Sequence, residues 1–216
     1  MDSVFDVIGL VMVGPSSSHT AAMVKAGHFF REIFQSSPKS VEVRFHGSLA
    51  KTGKGHGSHL AVTAGILGMY AHDPRIKNAL LIAKKSNLHI EFQEGIKGEN
   101  IVRIKGKVGT EEHEVSVESV GGGHIRIREI DGFECDFEPD FPLIITFHND
   151  IPGVIAGITA VLSKNHINIG WMIVTRDIKG GKAMAVIKVD NHVTSNTLEK
   201  LRNSHGMQRV IYMEGI

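Results

Sequence analysis

FPLIITFHNDIPGVIAGITAVLSKNHINIGWMIVTRDIKGGKAMAVIKVD, residues 141–190, settles the architecture of the second half of this chain. LIITF is a short apolar run rich in β-branched residues and reads as a strand. Asn149 to Gly153, with Pro152, reads as the turn that ends it. In GVIAGITAVLSKNH the positions Val154, Ile155, Ile158, Val161 and Leu162 recur every three or four residues, which is one face of a helix. INIGWMIVTRDI returns to strand, KGGK is a hairpin turn, and AMAVIKVD is the strand it joins. Towards the C-terminus, SNTLEKLRNSH forms a short helix and MQRVIYMEGI a last strand. The order βαββαβ over about 75 residues is that of the ferredoxin-like split unit, an antiparallel sheet with both helices on one face.

Towards the N-terminus, DGFECDFEPD (131–140) holds five acids and no base, with Gly132 and Pro139 near its two ends, which predicts a short linker near 136–141. Domains at 1–138 and 142–216 follow. Residues 1–140 carry 16 basic and 18 acidic side chains and 141–216 carry 8 and 5, so the charge balance changes sign at the same place. A first helix is expected after Gly14-Pro15, capped by Ser16, Ser17 or Ser18, with Met23, Ala26, Phe30, Ile33 and Phe34 as its apolar stripe. Strand VEVRFHG ends at Gly47. The glycine-rich turn GKGHG leads into a helix, HLAVTAGILGMY, and PRIKNALLIAKK reads as a third. From 88 to 130 the pattern switches to period two (LHIEFQ, IVRIKGKV, HEVSVESV, HIRIREI), which predicts an antiparallel sheet with Gly121-Gly122-Gly123-His124 as a turn. The N-terminal domain is therefore α+β.

Composition narrows the function. A chain of 216 residues buries a core without disulfide or metal staples. Lys plus Arg number 24 against 23 Asp plus Glu, with no long run of one sign, which argues against a nucleic-acid or membrane-surface role. Cys135 is the single cysteine, so a disulfide framework, a CxxC pair and a self-contained iron–sulfur site are excluded. MDSVFDVIGL lacks the basic region of a secretory signal and nowhere do 18 apolar residues run together, so a soluble cytoplasmic protein is expected. Trp171 is expected in a core or at a subunit contact. The ten acids among 111–140, against two bases, are expected on a solvated face.

Two polar constellations could carry chemistry. Gly14-Pro15-Ser16-Ser17-Ser18-His19-Thr20 at a helix start would point N–H groups, hydroxyls and an imidazole at one spot, an anion site suited to a carboxylate or phosphate. Simple capping explains one serine, not three followed by His and Thr. The second is Gly47-Ser48-Leu49-Ala50-Lys51-Thr52-Gly53-Lys54-Gly55-His56-Gly57-Ser58-His59. Its glycine spacing is one residue too long for a phosphate loop, and Gly55 stands where the magnesium-holding hydroxyl would be, so nucleotide binding is rejected. His56 and His59 alone, in a glycine loop, are a poor metal site, and no metal is assigned.

These motifs carry two resemblances. His148-Asn149-Asp150-Ile151-Pro152-Gly153-Val154, with Asn168 opening the second strand, resembles the ACT domain, a small-molecule sensor beside enzymes of amino-acid metabolism. GPSSSHT followed by HGSLAKTGKGHGSH resembles the beta chain of the iron–sulfur-dependent L-serine dehydratases, which convert L-serine to pyruvate and ammonia, and here the resemblance spans the whole chain. It implies that His19 and His56 are catalytic and that Ser16, Ser17, Ser18, Thr20 and Lys54 bind substrate. It implies also that a 4Fe-4S cluster is held by a separate alpha chain. Gly57-Ser58-His59 departs from the family's more usual Ala-Thr-Asp. Which residue takes the Cα proton stays open. The rival reading is a non-catalytic amino-acid sensor, because the N-terminal domain also resembles the allosteric substrate-binding domain of some phosphoglycerate dehydrogenases. A histidine-metal hydrolase is disfavoured, since neither motif contains an acid. The ACT-like domain is expected to pair with a second copy, since LIITF, INIGWMIV and AMAVIKV are apolar enough for open edges to associate. Asn149, Asp150, Gly153 and Asn168 are the expected effector residues, with Asp150 opposing a carboxylate and favouring an ammonium group or a cation.

Overall fold

A computed structural model describes residues 12–14, 16–36 and 38–216, without the side chains of Ser17 and Ser18. The chain divides into two compact units, the first ending at Asp131 but also holding Asp136–Glu138, the second holding Gly132–Cys135 and Pro139–Ile216.

In the N-terminal unit a π-helical turn, Ser17–Ala21, runs into α1 (Ala22–Phe34). Met23, Ala26, Phe30, Ile33 and Phe34 are all buried, as the stripe predicts. Ser16 supplies the expected cap, its Oγ accepting from the His19 N–H at 3.4 Å. β1 (Ser40–Phe45) follows, and then the chain departs from expectation. Gly47–Thr52, for which the sequence predicts no element, is a short helix, α2, whose first N–H groups need a partner. Asn100, half the domain away in sequence, accepts from the Ser48 N–H at 2.8 Å and the Ser48 hydroxyl at 2.7 Å. Gly57, with φ at 77°, makes the left-handed turn into α3 (Ser58–Ile66). PRIKNALLIAKK splits into a 3-10 turn at Pro74–Asn78, capped by Asp73, and α4 (Ala79–Lys85).

Helices α1 and α3 cross closely and run in the same direction. A Cβ on Gly27 would strike the Val62 carbonyl, and one on Gly65 would strike the Val24 carbonyl. At one end Thr20 reaches the His56 carbonyl, at the other Arg31 donates to the Ile66 carbonyl at 3.1 Å. Both helices therefore begin at the same place.

The strands are β2 (His89–Glu94), β3 (Ile101–Val108), β4 (Glu111–Gly121), β5 (His124–Ile130) and β6 (Phe133–Phe137), in sheet order β2-β1-β3-β4-β5-β6. One expectation is corrected. LHIEFQ is not antiparallel to the rest: β2 pairs with β1 in parallel, because three α-helices and a 3-10 turn between them carry the chain back before it re-enters the sheet. Residues 138–142 are neither helix nor strand, as the linker expected near 136–141 requires, but Asp136 and Phe137 belong to β6, FECDF. Its Phe133, Cys135 and Phe137 are buried while Glu134 and Asp136 are exposed. The Gly121–Gly123 turn joins β4 and β5 as expected. The acids of 111–140 face solvent in ion pairs: Glu118 and Asp136 with Arg128, Glu138 with Arg126, Glu114 and Glu129 with Arg103.

The C-terminal unit is the ferredoxin-like βαββαβ fold. β7 (Leu143–Asn149), α5 (Val154–Lys164), β8 (Ile169–Arg176), β9 (Lys182–Val189), α6 (Ser195–Arg202) and β10 (Met207–Met213) form an antiparallel sheet of order β10-β7-β9-β8. Val154, Ile158 and Leu162 of α5 and Leu198 and Leu201 of α6 pack on Ile144, Ala185, Ile187 and Val210 of one sheet face. LIITF and AMAVIKV are the two central strands. Of the three segments expected to offer edges, only β8 does, and its Trp171 and Val174 are exposed.

Candidate functional site

Because α1 and α3 start together, two motifs meet at their N-terminal ends, and His19 of one touches Thr52 of the other, 33 positions on in sequence. The His19 and His56 rings lie 4.8 Å apart, tilted by 35°. Thr52, the last residue of α2, stands between them and was not singled out from the sequence; its only signal was its place inside the second motif. The Thr52 hydroxyl donates to the Ser48 carbonyl at 2.8 Å, so at 2.9 Å it accepts from His19 Nε2–H. His19 Nδ1 is then the acceptor, and it takes the Ser16 hydroxyl proton at 3.2 Å. This chain of bonds fits a neutral imidazole with both nitrogens engaged. Burial, and then the neighbouring His56, hold the His19 pKa below the ordinary 6.5, in the same sense.

His56 is oriented differently. Its Nδ1 lies 2.9 Å from the Thr52 carbonyl, which can only accept, so Nδ1 carries the proton. In the neutral ring the lone pair is on Nε2, for which no partner occurs among the described residues. His56 is exposed, so this nitrogen is reachable from solvent. The Thr20 hydroxyl donates to the His56 carbonyl at 3.5 Å, tying the start of α1 to the turn before α3. The positive ends of two helices and an available base thus share one surface, an arrangement that can hold a carboxylate and take a proton from the atom beside it.

Of the expected site residues, the structure gathers Ser16, His19, Thr20 and His56. Ser17 and Ser18 lie in the π-helical turn, but their side chains, like Pro15 and the segment before residue 12, are outside the described residues. Lys54 is placed elsewhere, on the rim of a pocket with Phe45, His59 and Phe92.

The expected effector residues do not meet within one copy. Asn149 pairs in register with Lys182 at one end of the sheet, whereas Asn168 precedes Ile169, which pairs with Val189 at the other. Each is already bonded: Asn149 accepts from Gln208 at 2.6 Å, and Asn168 donates to Asp190 at 2.7 Å. Asp150 accepts from Arg176 at 3.1 Å and from the Gly180 N–H at 2.9 Å, which hold its carboxyl below the usual range. Gly153 opens α5 with φ at 93°.

Residues 3–114 match the family of the serine dehydratase beta chain, and residues 143–206 match the ACT domain. The chain is 41% identical over 202 residues to the probable L-serine dehydratase beta chain of Bacillus subtilis, covering 92% of each. It is 32% identical over 200 residues to the L-serine dehydratase beta chain of Peptoniphilus asaccharolyticus, covering 90% of each. D-3-phosphoglycerate dehydrogenase of Methanocaldococcus jannaschii is 29% identical over 183 residues, which is 82% of this chain and 34% of that enzyme. No helix among the described residues is long and apolar enough to cross a membrane.

Proposed function

Since this chain belongs to the serine dehydratase beta chain family and ends in an ACT domain, we propose that it is the beta subunit of a two-chain enzyme that converts L-serine to pyruvate and ammonia. Its part is to seat the substrate carboxylate and to move the Cα proton. The carboxylate lies against the joined N-terminal ends of α1 and α3, within reach of the hydroxyls of the Ser16–Thr20 turn. His56 Nε2 takes the Cα proton as hydroxide leaves Cβ, and the aminoacrylate so formed tautomerises and is hydrolysed to pyruvate and ammonia. His19, bonded on both sides, positions Thr52 and through it His56. Lys54 adds positive field from the same loop without joining the cluster.

A 4Fe-4S cluster does not fit the donors present here, because the one thiol, Cys135, is buried in β6. We assign the cluster to a separate alpha chain, which leaves this chain inactive alone. The single observation that carries the reading is the bridged pair His19–Thr52–His56, assembled from two distant motifs. Anaerobic mixing with an iron–sulfur alpha chain is expected to give pyruvate from L-serine where neither chain does so alone. Turnover by the purified chain without iron overturns the assignment.

The chain is further proposed to be cytoplasmic and to pair with a second copy through the β8 edge of its ACT domain. Such pairing is the way to bring Asn168 of one copy towards Asn149, Asp150 and Gly153 of another, as an effector site. A second reading, an amino-acid sensor without catalytic residues, draws on the match to a phosphoglycerate dehydrogenase. Under it, His56→Ala changes the serine concentration at which the partner responds and leaves the maximal rate intact.

A further inference from the structure

Beside the histidine pair, but not part of it, lies a pocket of ≈ 380 Å³ whose lining includes Phe45, Lys54, His59, Phe92 and Glu94. Its size falls within the range of small-molecule sites. Its position is the one that ligands favour in parallel sheets. β1 and β2 are parallel partners, and Phe45 and Glu94 are the residues that end them, opposite one another in register. In parallel pairs, ligands bind outside the carboxyl ends of the strands, where the following helix presents its N-terminus. Here the helix directly after β1 is α2, and the next one, α3, brings its second residue, His59, to the pocket.

The walls and the rim differ in character. The Phe45 and Phe92 rings are stacked, 6.2 Å apart and within 7° of parallel, and the His59 ring packs on both at 5.0 and 4.4 Å. At the rim stand one cation, Lys54, and one acid, Glu94; neither forms an ion pair with another described residue. His59 Nδ1 is buried with no hydrogen-bond partner. Burial first, and then Lys54, hold this imidazole below the ordinary 6.5 against the opposing pull of Glu94, so both charges act on the ring.

An apolar slot with one positive and one negative group at its mouth matches a zwitterion bearing an apolar tail. We propose that this pocket is a second small-molecule site, for a free α-amino acid with an apolar side chain: its carboxylate on Lys54, its ammonium on Glu94, its side chain against the packed rings of Phe92 and His59. L-serine, with a short polar side chain, leaves the aromatic slot unfilled and is a poor occupant. The inference is independent of the His19–His56 chemistry.

Titration of the full-length chain with L-leucine and with L-phenylalanine, followed by calorimetry and by the His59 ring resonances, tests it. Saturable binding is expected at up to low-millimolar concentration. 4-Methylpentanoate, lacking the ammonium, and isopentylamine, lacking the carboxylate, are each expected to bind at least about tenfold more weakly. Glu94→Gln, a surface change that preserves shape, is expected to weaken L-leucine about tenfold, and Phe92→Trp, which fills the slot, to abolish binding. His19→Ala is expected to leave L-leucine binding unchanged, so failure of the proposed catalytic reading is distinguishable from failure of this one. Absence of saturable binding to the wild-type chain overturns the proposal, as does binding that survives both Glu94→Gln and Phe92→Trp.

Discussion

The two units treat their polar groups in opposite ways. Among the described residues five buried side-chain polar atoms lack a hydrogen-bond partner, and four of them, on His28, His46, Ser58 and His59, are in the N-terminal unit. The C-terminal unit leaves only Thr175 in that state, and several of its polar side chains bond one another or the backbone. Asn149 bonds Gln208, Asp150 bonds Arg176 and Gly180, and Asn168 bonds Asp190. Glu214 joins His192 and Tyr212, at 2.7 Å each, and with burial this pushes the Tyr212 hydroxyl up to about 12. An unpaired buried polar group costs about 1–3 kcal/mol. The N-terminal unit thus carries groups that a ligand can satisfy, whereas a ligand of the C-terminal unit must first displace partners already in place.

The contrast is broken most directly at the histidine pair. His56→Ala in the assembled enzyme is expected to lower kcat by about 10²–10⁴, the usual loss of a positioned base, with little change in the unfolding midpoint of this chain. His19→Ala is expected to fall in the same direction, since it removes the Thr52 contact. Near-normal kcat in both variants would return the pair to a structural role.

Next in size is the helix crossing that creates the pair. Gly65→Ala places a methyl against the Val24 carbonyl, and overpacking of this kind costs about 1–3 kcal/mol. It is expected to lower the urea midpoint and to lower kcat as well, because α1 and α3 must separate and His19 moves from Thr52. Loss of stability with full activity would show that the shared helix start is not what holds the site.

A smaller effect distinguishes the units by pH. Burial lowers the pKa of His19, His28, His46 and His59 in the N-terminal unit and of His148 in the C-terminal one. Below the ordinary 6.5 of these rings the unfolded chain takes up protons that the folded chain refuses. Stability is therefore full above that pH and falls as pH drops through the window beneath it. Hydrogen exchange at about pH 7.5 and about pH 5.5 is expected to show the larger loss of protection in the N-terminal unit. Equal loss in both would erase the distinction.

The smallest effect concerns Asn149 and Asn168. In a single copy they stand at opposite ends of the sheet, so the stability changes of Asn149→Ala and Asn168→Ala are expected to add within about 0.5 kcal/mol. A larger coupling, appearing only at concentrations where the chain sediments as a dimer, would locate a site shared between copies.

By itself the sequence determined the βαββαβ order of the C-terminal unit and the buried face of α1, and it marked out the two polar motifs. Period two, period 3.6 and turn residues are local properties, and each segment there keeps in the tertiary structure the pattern it shows alone. The same locality explains the misreadings. Gly47–Thr52 carries no helix signal of its own because the cap that makes it a helix comes from Asn100. The linker expected near 136–141 starts two residues too early because the charges of 131–140 masked the alternation of Phe133, Cys135 and Phe137. Only the tertiary structure decided which residues meet. The close crossing at Gly27 and Gly65 set His19 beside Thr52 and His56. The parallel pairing of β1 and β2 drew Lys54 and His59 to a different pocket. The strand order parted Asn168 from Asn149. These outcomes depend on backbone approach and strand order over tens of residues, which local periodicity does not encode.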